Sequence, residues 1–232
     1  GGLTLALWLV AVPSQKATGP VTVICMQTEN DADAALLYQD GVAVLIDTGE
    51  EADADHILDV LESSGIDTLD YLILSHPDAD HIGGAMAIAN SIPVKKVVQP
   101  YYPKEDKERL TALNEWFAEH GIPIVYPTHT LRLSLGEMNL LIYPPLEKKY
   151  SQSNNYSLGV LVQHQTVNLM FAGDALRKRS EELLYVKWPK IDLYKVAHHG
   201  RANSATETLY YTDQGDCVFI SDGKVLMTSD EY

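Results

Sequence analysis

Short apolar runs alternate with amphipathic stretches along most of this chain. Residues 21–26 alternate as a strand does. Residues 34–38 and 42–46 flank Gln39-Asp40-Gly41, and Asp-Gly between apolar runs predicts a hairpin, closed by Asp47-Thr48-Gly49. Over 52–64, Ile57, Leu58 and Leu61 share one face and Gly65 follows, the spacing of a helix and its stop. Residues 69–74 form an uninterrupted apolar run and read as a buried strand. That strand delivers Ser75-His76-Pro77-Asp78-Ala79-Asp80-His81-Ile82-Gly83-Gly84, where the glycines are expected to allow a tight turn into a helix over 82–90. Leu110, Leu113 and Phe117 mark the clearest helix, 104–120. Further strands are expected at 95–98, 122–126, 131–135 and 140–143, then a polar loop over 144–155. A second hairpin, 158–163 with 167–172, delivers Gly173-Asp174. A helix over 181–186 leads to a strand at 193–197 and to His198-His199-Gly200; a helical stretch at 206–211 and strands at 217–220 and 225–227 close the chain.

Hairpins interleaved with helices predict a layered α/β domain of mixed sheets with helices outside, over residues 21–232. Residues 1–20 stand apart. Leu3 to Val12 is apolar but about half the length that spans a bilayer, so it reads as the tail of a signal peptide or membrane anchor, or as an added strand. An anchor would place the protein outside the cytoplasm or at a membrane; an added strand leaves it cytoplasmic. Residues 13–20 read as a linker.

Composition changes this picture in one respect. Hydrophobic content of 46% and charged content of 21% are ordinary for a chain of 232 residues with a sizeable core, but the formal charge is −15. Such a balance argues against general nucleic-acid binding, which needs clustered Lys and Arg; the longest basic run is Arg177-Lys178-Arg179. Solubility alone accounts for the acidity. Cys25 and Cys217 announce neither a disulfide framework nor a zinc ribbon.

The candidate chemistry lies at strand ends. His76, Asp78, Asp80 and His81 crowd one turn, and burying them together is costly unless a cation neutralises them. A solvated acidic loop before a helix is the bland alternative. Asp174 follows a second apolar strand and His198-His199 a third. If these ends meet, the donors suffice for two divalent ions with Asp174 between them. Such a pair, roughly 3.5–4 Å apart, suits phosphoester hydrolysis. Imidazole and carboxylate without thiolate fits Zn²⁺, Mn²⁺ or iron. His164 reads as a turn residue, and His56, His120 and His129 as surface or capping histidines.

These residues resemble the metallo-β-lactamase fold, a four-layer αββα sandwich of hydrolases, and most closely its ComEC-type competence-protein branch. The blocks that carry the resemblance are Leu45-Ile46-Asp47-Thr48-Gly49, the Ser75 to Gly84 stretch, Asn154-Asn155-Tyr156-Ser157-Leu158, Phe171-Ala172-Gly173-Asp174 and Val196-Ala197-His198-His199-Gly200. The resemblance implies His76 and Asp78 around one metal, Asp80 and His81 around the second, and Asp174 bridging. One of His198 and His199 completes a shell and the other touches substrate. Asp80 and His199 are the expected catalytic residues, with Asp80 orienting the attacking water or taking its proton. Asp47 would tie down the ligand loops, and Asn154, Asn155 and Ser157 would contact substrate or cap a strand. The branch's glycine-built turn after the first strand is replaced by Cys25 to Asp31, with Asp31 a loose match, and its late Gly-His-Pro segment is missing. The implied activity is hydrolysis of a phosphodiester, either DNA or a small phosphoester such as a phosphocholine-type ester. A lactone or thioester hydrolase and a non-catalytic metal-binding module are the alternatives.

Overall fold

The computed structural model describes residues 19–104, 106–200, 217–221, 223 and 226–228. The expected helical stretch at 206–211 and nearly all of the N-terminal segment lie outside these residues. Among the described residues no helix is long and apolar enough to cross a membrane.

Strand β1 (Val21–Cys25) is followed by the predicted hairpin, β2 (Ala35–Gln39) and β3 (Val42–Ile46). Asp40 and Gly41 both have positive φ, as a two-residue hairpin turn requires. Helix α1 (Ala54–Ser63) then leads to β4 (Tyr71–Ile73). Two short helices, α2 (Ala79–Ile82) and α3 (Ala85–Ser91), stand where one was expected. They precede β5 (Val97–Val98), α4 (Glu108–Glu119) and β6 (Ile124–Val125). A meander follows: β7 (Leu131–Leu135), β8 (Met138–Tyr143), β9 (Gly159–His164) and β10 (Val167–Phe171). Helix α5 (Arg177–Leu184), β11 (Leu193–Lys195), β12 (Cys217–Ser221) and β13 (Leu226–Thr228) complete the described elements.

The larger sheet has the order β13-β12-β1-β2-β3-β4-β5-β6, antiparallel up to β3 and parallel from β3 to β6. The smaller has the order β11-β10-β9-β8-β7, with only β10 and β11 parallel. Alternation along the strands sorts the core into layers. Leu36, Leu45, Leu72 and Val97 face α1, α3 and α4, where Ile57, Ile88 and Phe117 cover them. Leu37, Val44, Ile73 and Val98 face Leu140, Val160, Val162 and Leu169 of the other sheet. Beyond that sheet, Met170 and Ala172 pack with Leu183 of α5. The result is the expected helix–sheet–sheet–helix sandwich.

Two expectations are corrected here. Gly83 and Gly84 have ordinary negative φ, so no special turn explains them. Gly83 is needed for close approach: a Cβ there would lie 2.5 Å from the backbone of Glu50 and Glu51. Helix α5 starts earlier than residue 181 because Arg179 of the supposed basic run points inward, buried against Glu182 at 2.9 Å.

Candidate functional site

Six loops meet at one rim, where β3, β4, β10 and β11 end and β2 and β9 begin. Asp47 leaves β3 with φ 59°, and that left-handed turn aims its carboxylate across the sheet. It accepts the Ser75 N–H at 2.6 Å and the Ser75 Oγ–H at 2.7 Å, and lies 2.8 Å from His81 Nδ1. Asp47 thus ties the loop of the His76 strand to the end of β3 and meets His81 at Nδ1. His81 Nε2 then faces Asp174 Oδ1 at 3.1 Å.

Asp174 sits at the centre. Gly173 before it has φ 52°, and a Cβ there would lie 2.7 Å from Ser75 Oγ, so the approach of the two loops requires glycine. Ser157 Oγ accepts the Asp174 N–H at 3.0 Å. Asp174 Oδ1 also faces His199 Nε2 at 3.2 Å, while Oδ2 lies 3.8 Å from His76 Nε2 and 3.9 Å from His198 Nε2. Asn154 donates to Oδ2 at 3.0 Å. Asp78 stands 3.5 Å from His76 Nε2 and is held by Lys107 at 2.7 Å and Ser153 at 2.9 Å. Asp80 reaches His199 Nε2 at 3.4 Å and His81 Nε2 at 3.9 Å.

The seven residues expected as metal ligands lie around Asp174, four of them in one group able to hold an ion, with His76 and His198 near Asp174 and Asp78 near His76 only pairwise, at 3.5–3.9 Å. Asp80, His81, Asp174 and His199 offer ligand atoms within 4.8 Å of one another. His199 joins that group from a buried position, and His198 stands on the other side of Asp174. Both histidines have left-handed backbones (φ 51° and 53°), conformations that cost free energy and gather at functional sites. Asn154 and Ser157 belong to the site as described. Asn155 is buried, and its Oδ1 accepts the Arg179 N–H at 3.2 Å. His164 is no turn residue but the buried end of β9, bonded to Ser221 Oγ at 2.9 Å. His56, His120 and His129 are exposed, and His120 caps α4.

The charges are poorly matched by protein groups alone. Burial disfavours ionised Asp174, yet the imidazoles of His199, His81 and His76 outweigh it and hold its carboxyl below the usual range. Asp78 is lowered in the same way by His76 and Lys107. Burial disfavours protonated His199, but Asp174, Asp33 and Asp80 push it up to about 11. His81 is raised by Asp47 and Asp174 against the same penalty. Four buried atoms aimed at the centre, His76 Nε2, His81 Nε2, Asp174 Oδ1 and His199 Nε2, make no hydrogen bond of proper geometry. Orphaned imidazole and carboxylate atoms facing one another are the donor set a divalent cation satisfies.

Sequence reasoning missed Asp33. Its carboxylate lies 3.3 Å from His199 Nδ1 and 2.5 Å from Lys195 Nζ. Asp31, two residues earlier, is the loose match to the altered turn; Asp33, at the mouth of β2, finds its partners only in the fold.

Fold and pocket together define a class, and the chain belongs to the metallo-β-lactamase superfamily, whose family model matches residues 28–227. Among curated proteins it is similar to Recombination protein 2 of Haemophilus influenzae, 28% identical over 200 residues that cover 82% of this chain and 23% of that protein. It is also similar to ComE operon protein 3 of Bacillus subtilis, 29% identical over 174 residues, 72% of this chain and 22% of that one. Both are ComEC-type competence proteins, and the chain spans less than a quarter of their length. Among solved structures, a Cronobacter sakazakii metallo-β-lactamase with an HARLDQ motif superposes with a TM-score of 0.52 at 17% identity, covering 73% of this chain and 72% of that one. The metallo-β-lactamase fold protein YhfI from Bacillus subtilis gives 0.51 at 12% identity, covering 76% and 70%. These two likenesses bear on the fold.

Proposed function

We propose that this pocket hydrolyses a phosphodiester with the help of two divalent cations, zinc- or manganese-like. Superfamily membership supports a hydrolase in general. The observation that carries the finer reading is Asp174, one buried carboxylate whose Oδ1 faces His81 and His199 and whose Oδ2 faces His76 and His198. His76, Asp78, Asp174 and His198 would hold one ion; Asp80, His81, Asp174 and His199 would hold the other. Bound there, paired ions supply Lewis acidity that ionises water near neutral pH and neutralises charge on ester oxygens.

The chain's own residues do the rest. Asp80, with its side chain 29% exposed, is the acid best placed to orient an incoming water and take its proton. Asp47 holds His81 in one tautomer. The Lys107 ammonium and the Asn154 amide stand at the rim as donors for ester oxygens. Asp78 in a position that the family often fills with histidine adds negative charge, which favours harder ions and phosphate ligands.

The likeness to a recombination protein and a competence-operon protein makes a DNA strand one substrate to test. The charge of −15 favours a small phosphoester instead. Protein loaded with two equivalents of Zn²⁺ or Mn²⁺ is expected to turn over bis-p-nitrophenyl phosphate. Turnover of lactones or thioesters alone would replace the phosphodiester reading. Cation binding that raises Tm with no turnover in any ester class would leave a binding module.

A further inference from the structure

We infer that Asp33, backed by Lys195, is a positioning residue that sets the tautomer and aim of His199, an inference that rests on the cation reading of the pocket. Two imidazoles approach Asp174 Oδ1 through Nε2: His81 at 3.1 Å and His199 at 3.2 Å. Each has a buried carboxylate behind it at Nδ1, Asp47 at 2.8 Å for His81 and Asp33 at 3.3 Å for His199. An imidazole that donates its Nδ1–H backward presents the Nε2 lone pair forward, and this fixes ring orientation as well. His81 and Asp47 make that hydrogen bond; His199 and Asp33 stand in the same order about the central oxygen, with the 3.3 Å Nδ1 contact short of hydrogen-bond geometry.

The two carboxylates are balanced differently. Asp47 is satisfied by the Ser75 N–H and hydroxyl. Asp33 has the Lys195 ammonium at 2.5 Å. The carboxylates of Asp33 and Asp47 and the His81 ring offer ligand atoms within 4.8 Å of one another, so two buried acids share one neighbourhood. Lys195 supplies a fixed positive charge at that crowding. It does so from β11, the same strand that delivers His199, so one element brings both the ring and the charge behind it. The Asp33 backbone is held independently: its N–H donates to the Asp80 carbonyl at 3.1 Å and its carbonyl accepts the Gly49 N–H at 2.8 Å. Removing the side chain therefore leaves the loops tied.

The test is a Zn²⁺ titration of the whole chain and of Asp33→Ala, Asp33→Asn and Lys195→Met, repeated with Co²⁺ to read its absorption spectrum. Asp33→Ala is expected to weaken one of the two equivalents about 10–100-fold, the range for lost partners of ligand histidines, and to leave the other within about twofold. Asp33→Asn should restore most of the loss, since its amide oxygen accepts the same Nδ1–H. Lys195→Met should weaken the same equivalent, and the Co²⁺ band of that site should change in each weakened variant. Asp33→Ala binding both equivalents as the parent does would overturn the inference. So would Asp33→Asn as impaired as Asp33→Ala, or loss of both equivalents with a lower Tm of the metal-free protein, which is the mark of a structural role. A parent that binds no cation would overturn the functional reading first, and this inference with it.

Discussion

Asp80 is the residue on which the proposed chemistry turns, and its side chain packs little. Asp80→Ala should lower kcat for bis-p-nitrophenyl phosphate by about 10²–10⁴-fold, the range for a positioned base, while Tm stays within a few degrees. Retained turnover would remove Asp80 from its role. The pH behaviour follows from the imidazoles. The His199 pKa is raised from an ordinary 6.5 to about 11, so its contribution to metal-free stability is complete below about 6.5 and is lost as pH climbs towards 11. Asp78 and Asp174 are lowered, so their contribution holds above about 4 and is lost in acid. Calorimetry of the chelator-treated protein should therefore find maximal Tm between about pH 4 and 6.5 and a decline on the alkaline side. A cation must displace these protons, so binding should tighten as pH rises, with proton release visible as buffer-dependent binding heat. At this scale the candidate ligands were legible because donor residues cluster directly after apolar strands. Asp33 was not, since a lone acid gains its meaning only from Lys195 and His199, 162 and 166 positions away.

The elements themselves were legible wherever hydrophobic period was strong. The β2–β3 hairpin, β7 and α4 fall where alternation and the Leu110-Leu113-Phe117 stripe place them. Helix α5 was misplaced because two of its three buried residues are Arg179 and Glu182, beside Leu183, and a hydrophobic count does not detect them. Arg179 also donates to the Ser157 carbonyl at 2.8 Å and the Tyr143 carbonyl at 2.7 Å, and Glu182 accepts from Tyr150 at 2.6 Å. This buried pair clamps the loop that carries Asn154 and Ser157. Arg179→Met alone should cost about 3–5 kcal/mol, because it strands a buried carboxylate, whereas Arg179→Met with Glu182→Leu should recover much of that. Urea denaturation of both variants distinguishes the outcomes. Equal losses would show that the ion pair's charge balance is not what matters there.

At the scale of the molecule, the sandwich brings acid-rich loops to one rim of a chain that carries −15. A polyanionic substrate is repelled in dilute buffer, so kcat/KM for single-stranded DNA should rise with ionic strength, while that for a small monoanionic diester stays flat. A fall with salt would reveal a basic track that the composition hides. The layer order was readable from hairpins and helices alternating along the chain. The split between sheets was not, because a two-residue period says which side chains share a face but not which face meets which.

The opposite rim has a different character. There the tight connections at Asp40-Gly41, Gly136-Glu137 and Gln165-Thr166 join neighbouring antiparallel strands, far from every proposed ligand. The proposed ligands and these tight hairpin turns thus lie at opposite poles of the sandwich. A fluorophore, an affinity handle or a grafted peptide spliced at Asp40-Gly41 would displace the Asp40 contact with Gly19 yet report on the protein from the pole away from the proposed ligands, and cation uptake is expected to be unchanged.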